Sequence, residues 1–73
     1  MFGGEDGVRR IQAGQIRREM TIVEKVGGKR RYYRVHETPI HKGHEVYVTV
    51  HVDKHRLNWR YETESPVYIT EGN

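Results

Sequence analysis

From Thr21 onward the chain alternates between apolar and polar positions, and the alternation is that of strands. Residues 21–26 (TIVEKV) and 29–36 (KRRYYRVH) flank Gly27-Gly28, a pair suited to the positive φ of a tight hairpin turn. Residues 45–53 give the clearest strand pattern: Val46, Val48, Val50 and Val52 alternate with Tyr47, Thr49, His51 and Asp53. A turn is expected at Lys54-His55. Residues 56–62 then set Leu57, Trp59 and Tyr61 against Arg56, Asn58, Arg60 and Glu62. Residues 38–43 (TPIHKG) read as a loop, Ser65-Pro66 as a break, and residues 67–69 as a short last strand with an edge available for pairing.

The stretch 8–20 is less regular. Its apolar residues fall at 8, 11, 16 and 20, the step from 11 to 16 breaks helical rhythm, and Gly14 sits inside. The reading favours one short N-terminal helix or an irregular turn. The alternative is a strand pair turning at Ala13-Gly14, with Ile11 and Ile16 on its flanks. Residues 1–7 (MFGGEDG) read as a flexible tail before a single small domain at 8–73. The expected fold is mainly β: an antiparallel five-stranded meander, curled into a small open barrel of SH3- or OB-like size or lying as one sheet.

Composition supports this class. Of 25 apolar residues fourteen are Val or Ile and seven are aromatic, with one Leu (Leu57) and one Ala (Ala13), a choice that suits pleated strands and not a helical bundle. At 73 residues the core must be small. Without cysteine there is no disulfide framework and no thiolate metal site. No apolar run approaches the ~20 residues of a membrane span, and the first residues lack the basic start and apolar stretch of a secretory signal. The expectation is a cytoplasmic protein that does not engage membranes.

The charge is polarised along the chain. Residues 9–34 carry nine basic and two acidic side chains, whereas residues 35–73 carry four and six, and Arg outnumbers Lys nine to four overall. Such a segment points to a polyanionic partner, since the Arg fork grips phosphate and stacks on bases. Strand parity sharpens the expectation. With the valine row and Leu57-Trp59-Tyr61 facing inward, Tyr47, Thr49, His51, Arg56, Asn58 and Arg60 face out. Inward Tyr33 and Val35 likewise expose Arg30, Tyr32 and Arg34, and inward Val67 and Ile69 expose Tyr68. Cations tracking phosphates beside rings that stack on bases are the chemistry of single-strand binding. The candidate contact set is Arg30, Arg31, Tyr32, Arg34, Tyr47, His51, Arg56 and Arg60. The same side chains also suit ordinary cross-strand pairing.

Five histidines fall within twenty positions: His36, His41, His44, His51 and His55. His41 and His44 with His36 and Glu37 or Glu45 could in principle gather round a metal, but the spacing matches no zinc signature, so neither metal nor other cofactor is expected. No nucleophile motif is present and no catalytic residue is assigned. Residues 53–62 (DKHRLNWRYE) resemble one strand of the small ribosome-dependent RNA-cleaving toxins of bacterial toxin–antitoxin modules. That resemblance covers ten residues and implies a metal-free site of Arg and His. From the residues themselves, His51, His55, Glu62 and Arg56 or Arg60 offer a general acid, a general base and a cation. The family's two N-terminal helices have no counterpart here. A small protein-interaction or inhibitor module, of the phage or plasmid type, is the other alternative, and a homodimer suits so small a core.

Overall fold

The structure is a computed structural model, and it describes residues 7–71. Apart from Gly7, the expected tail lies outside the described residues. The fold is mainly β, as expected, and contains seven antiparallel strands and no α-helix among the described residues. They are β1 (Val8–Gln12), β2 (Met20–Val26), β3 (Lys29–Val35), β4 (Ile40–Lys42), β5 (Glu45–Val52), β6 (His55–Glu62) and β7 (Pro66–Glu71), with a 3₁₀ turn at Ala13–Gln15. The sheet curls into a half-barrel in the order β1-β7-β2-β3-β5, with β6 on the other edge of β5.

Three local features depart from the simple meander. The stretch 8–20 forms no α-helix and no hairpin but does contain a short irregular turn: β1 takes up Ile11, a single 3₁₀ turn follows, and Ile16 lies in the irregular segment before β2. Its apolar spacing is irregular because it serves a strand and then a plug. Residues 38–43 are not simply a loop. β3 and β4 lie on one edge of β5, and the four residues 36–39 between them bulge opposite only Val48 and Thr49. The last strand is longer than expected and is not an edge: β7 lies between β1 and β2, paired as Ile11↔Val67 on one side and Ile22↔Ile69 on the other. Its two central apolar residues report burial, and burial alone does not reveal how many neighbours a strand has.

The turns follow from local chemistry. Gly27 and Gly28 both adopt positive φ, at 60° and 81°, closing β2 onto β3 with the register Val26↔Lys29. The β5–β6 turn is Asp53-Lys54, one residue earlier than expected. Asp53 supplies the left-handed residue at φ 58° and His55 already belongs to β6. Asp tolerates that region better than most side chains.

The concave face holds the core. Ile22, Val35, Val46, Val48, Val50 and Ile69 are almost fully buried, with Ile11, Ala13, Ile16, Met20 and Val67 packed among them. The 3₁₀ turn plugs one end: Ala13 N–H donates to Ser65 O and Gly14 N–H to Thr63 O, each at 2.8 Å. The expected inner row of β6 is only partly covered. Trp59 and Tyr61 are half-buried against the core, Tyr33 meets Trp59 edge-on at 4.8 Å, and Leu57 is 38% exposed. The parity was read correctly, but a half-barrel leaves this side of its mouth open.

Candidate nucleic-acid interface

The convex face carries the outward rows, and the structure divides the candidate residues into two groups. The first lies on β3, β5 and β6. Arg34, His51 and Arg56 are consecutive cross-strand neighbours, and Tyr47 lies opposite Arg60. His36 joins them from the bulge, its ring stacked on His51 at 4.2 Å. This group is already satisfied by carboxylates. Arg34 donates to Glu19 at 2.8 Å, Arg56 to Glu37 at 2.5 Å, and Arg60 lies 3.6 Å from Glu45. The Tyr47 hydroxyl donates to the same Glu45 at 3.0 Å, and Lys42 sits 5.5 Å from the centre of its ring. Glu45 thereby raises the Tyr47 phenol above its ordinary pKa, while Arg34 holds the Glu19 carboxyl below its own. A phosphate arriving here would have to displace three acids.

The second group lies on β1, β7, β2 and β3. The register sets Tyr32, Val23, Tyr68 and Arg10 side by side in one row crossing four strands. Arg30 and Lys25 are opposite one another in the next row along β2 and β3. Tyr32 and Tyr68 are 56% and 47% exposed, whereas Val23 between them is 8% exposed. The two rings flank the buried Val23 in the row and remain partly open to solvent. Two strand spacings separate them, about 10 Å. The convex positions of these four strands include no Asp or Glu among the described residues whose side chains are placed: Val8, Arg10 and Gln12; Thr21, Val23 and Lys25; Arg30, Tyr32 and Arg34; Pro66, Tyr68 and Thr70.

Beyond Val23 and Tyr68, β2 continues with β3 while β7 continues with β1. A cleft of about 560 Å³ opens where they part, lined by Val23, Lys25, Arg30, Val67 and Tyr68, with Glu24 and Tyr61 reaching it from the concave side. Burial and the nearby Glu24 charge push the Tyr61 phenol up to about 12.

Of the eight candidate residues, Arg30 and Tyr32 thus fall in the second group, and Arg34, Tyr47, His51, Arg56 and Arg60 in the first, where Glu19, Glu37 and Glu45 engage Arg34, Arg56, Arg60 and Tyr47. Arg31 lies opposite Glu24, on the face away from Arg30 and Tyr32. Arg10, Lys25 and Val23 were not singled out from sequence. The visible signal was the basic run itself; what it lacked was the position of β7, which carries Tyr68 into line with them.

The alternative acid–base set is not assembled. His55 and Glu62 stand at opposite ends of β6 and on opposite faces, about 23 Å apart along the strand. No group of three or more His, Cys, Asp or Glu among the described residues could hold a metal ion. No helix among them is long and apolar enough to cross a membrane. No family model matches the chain, and searches of curated proteins and of solved structures likewise found no match.

Proposed function

We propose that the protein binds single-stranded nucleic acid on its convex face, across β1, β7, β2 and β3. The observation that carries this reading is the row Tyr32–Val23–Tyr68–Arg10, with Lys25 and Arg30 beside it and no carboxylate in those strands' outward rows. Two half-exposed rings about 10 Å apart can each receive an unstacked base, while the three cations follow the backbone. The neighbouring arginines Arg34, Arg56 and Arg60 already face Glu19, Glu37 and Glu45. A fluorescently labelled mixed-sequence single strand tests the reading by anisotropy, with DNA and RNA compared.

Replacing Tyr32 or Tyr68 by Ala should each cost ~1–3 kcal/mol of binding, and Tyr→Phe should retain most of it. Three phosphate contacts on a single strand give a slope of log K on log salt of about −2. Absence of binding at low salt, or tyrosine variants that bind like the wild type, would refute the proposal. Circular dichroism of each variant confirms that the sheet has survived, because Tyr68 also covers Val23.

A further inference from the structure

The longest open edge in the described fold is that of β6, eight residues paired only to β5. Its free side can be assigned residue by residue. Thr63 N–H donates to His44 O, so that pair is hydrogen-bonded, and the alternation of an antiparallel ladder turns the odd residues of β6 toward β5. The backbone groups of Arg56, Asn58, Arg60 and Glu62 therefore point away from the sheet, and of these the Glu62 carbonyl already accepts from Ser65 N–H at 3.0 Å in the turn that follows. Proteins usually guard such an edge with charged side chains, proline, a bulge, an inward-pointing charge or a covering element. β6 carries charges of both signs, Arg56, Arg60 and Glu62, in its outer row. β6 has no proline, its register with β5 is unbroken, and its inner row is Leu57, Trp59 and Tyr61. Leu57 is exposed and the two rings are half-buried.

We propose that β6 pairs antiparallel with β6 of a second copy of this chain, about a two-fold axis at Trp59. Only residues on the same face can be opposite one another, so the two-fold must fall on a residue; centring on Leu57 or Tyr61 pairs only a short stretch of the strand, and among the central registers the charges select which. Centred on Asn58, the pairing sets Arg56 against Arg60 of the partner subunit; centred on Arg60, it sets the two Arg60 side chains against each other. Centred on Trp59, it sets Arg56 against the partner's Glu62, twice by symmetry, and Asn58 against the partner's Arg60. On the concave side the same register apposes the two Trp59 rings and places Leu57 beside the partner's Tyr61. Arg56, Asn58 and Arg60 find backbone partners for both N–H and carbonyl, the Glu62 N–H finds one too, and the Glu62 carbonyl, which also accepts from Ser65 N–H, is shared through its second lone pair; the interface is self-complementary, as a two-fold requires. Arg56 keeps its Glu37 contact, since the guanidinium has five donors.

Sedimentation and light scattering of the protein without nucleic acid test this independently of the proposed function. Two concentrations tenfold apart should show an apparent mass rising toward twice that of one chain. The emission of Trp59, the chain's single tryptophan, should change along with it. Asn58→Pro removes an N–H that points outward and leaves the ladder to β5 intact, so it should give a folded monomer. Glu62→Arg and Arg56→Glu should each be monomeric, placing like charges opposite one another, while an equimolar mixture of the two should restore dimers. Circular dichroism and a thermal melt identify any variant that fails to fold, and the mixture then decides the register. A wild type that stays monomeric at both concentrations overturns the proposal. So does a dimer indifferent to Asn58→Pro and to both charge reversals, which would place the contact elsewhere.

Discussion

Two residues carry backbone or steric demands that their side chains do not advertise. Glu19 adopts φ 82° although it is not glycine, because its N–H must reach Val35 O at 2.8 Å to lead the chain into β2. Its carboxylate holds Arg34, but that pair is solvent-exposed and exposed pairs contribute little. The conformational demand outweighs the ion pair, so Glu19→Gly should raise the melting temperature by a few degrees at neutral pH; a lower value would show that the Arg34 contact dominates. Gly14 has ordinary φ and is required for space. A Cβ there would lie 2.5 Å from Thr63 Cγ2 and 3.2 Å from Thr63 O, the carbonyl that Gly14 itself bonds. Rotating Thr63 cannot relieve both contacts. Gly14→Ala should therefore destabilise the fold by about 1–3 kcal/mol in a denaturant titration, through the plug and not through the strands.

At the scale of elements, what was legible in the sequence is what strand parity controls. The valine row of β5 faces the core, and the rows Arg30–Tyr32–Arg34 and Tyr47–Thr49–His51 face outward, because a two-residue period admits only one assignment once the apolar face is buried. Pairing order is not written in that period. Val67 and Ile69 would look the same on an edge as in the interior, so the contacts that align Tyr68 with Tyr32 were hidden. So were the acids of the first group: Glu19, Glu37 and Glu45 are far from Arg34, Arg56 and Arg60 in sequence and meet them only after folding.

The same element scale carries a pH effect. Tyr61 on β6 keeps its proton up to about 12 against an ordinary 10.0, owing to burial and then to Glu24. The folded state thus binds a proton that the unfolded chain releases, and the stability it lends is full below pH 10 and lost as pH rises toward 12. Ultraviolet titration of the phenols should show a component near 12 that disappears in Tyr61→Phe, while Tyr47, also raised, keeps titrating above the ordinary range, and the alkaline fall in melting temperature should be shallower in that variant.

For the whole molecule, the polarised charge of the sequence becomes a division of one surface. The basic N-terminal half supplies the outward rows of β1, β2 and β3, whose own positions carry no Asp or Glu, and the more acidic C-terminal half supplies Glu37 and Glu45 to the neighbouring group. Net charge alone would have hidden this, because a modest +3 overall does not show that the basic side chains are concentrated in one half. The position of β7 has a consequence of another kind, in time. β1 is made first among the described strands, yet its sheet partner is β7, made last. While the chain is still being synthesised, β2, β3, β4, β5 and β6 can pair as they emerge, but β1 must wait. Its apolar residues Val8 and Ile11 stay uncovered by the sheet until the final strand leaves the ribosome and slots between β1 and β2. The half-barrel is therefore completed in one late, long-range step of the kind that slows folding, and until β7 is made the first strand is without its partner.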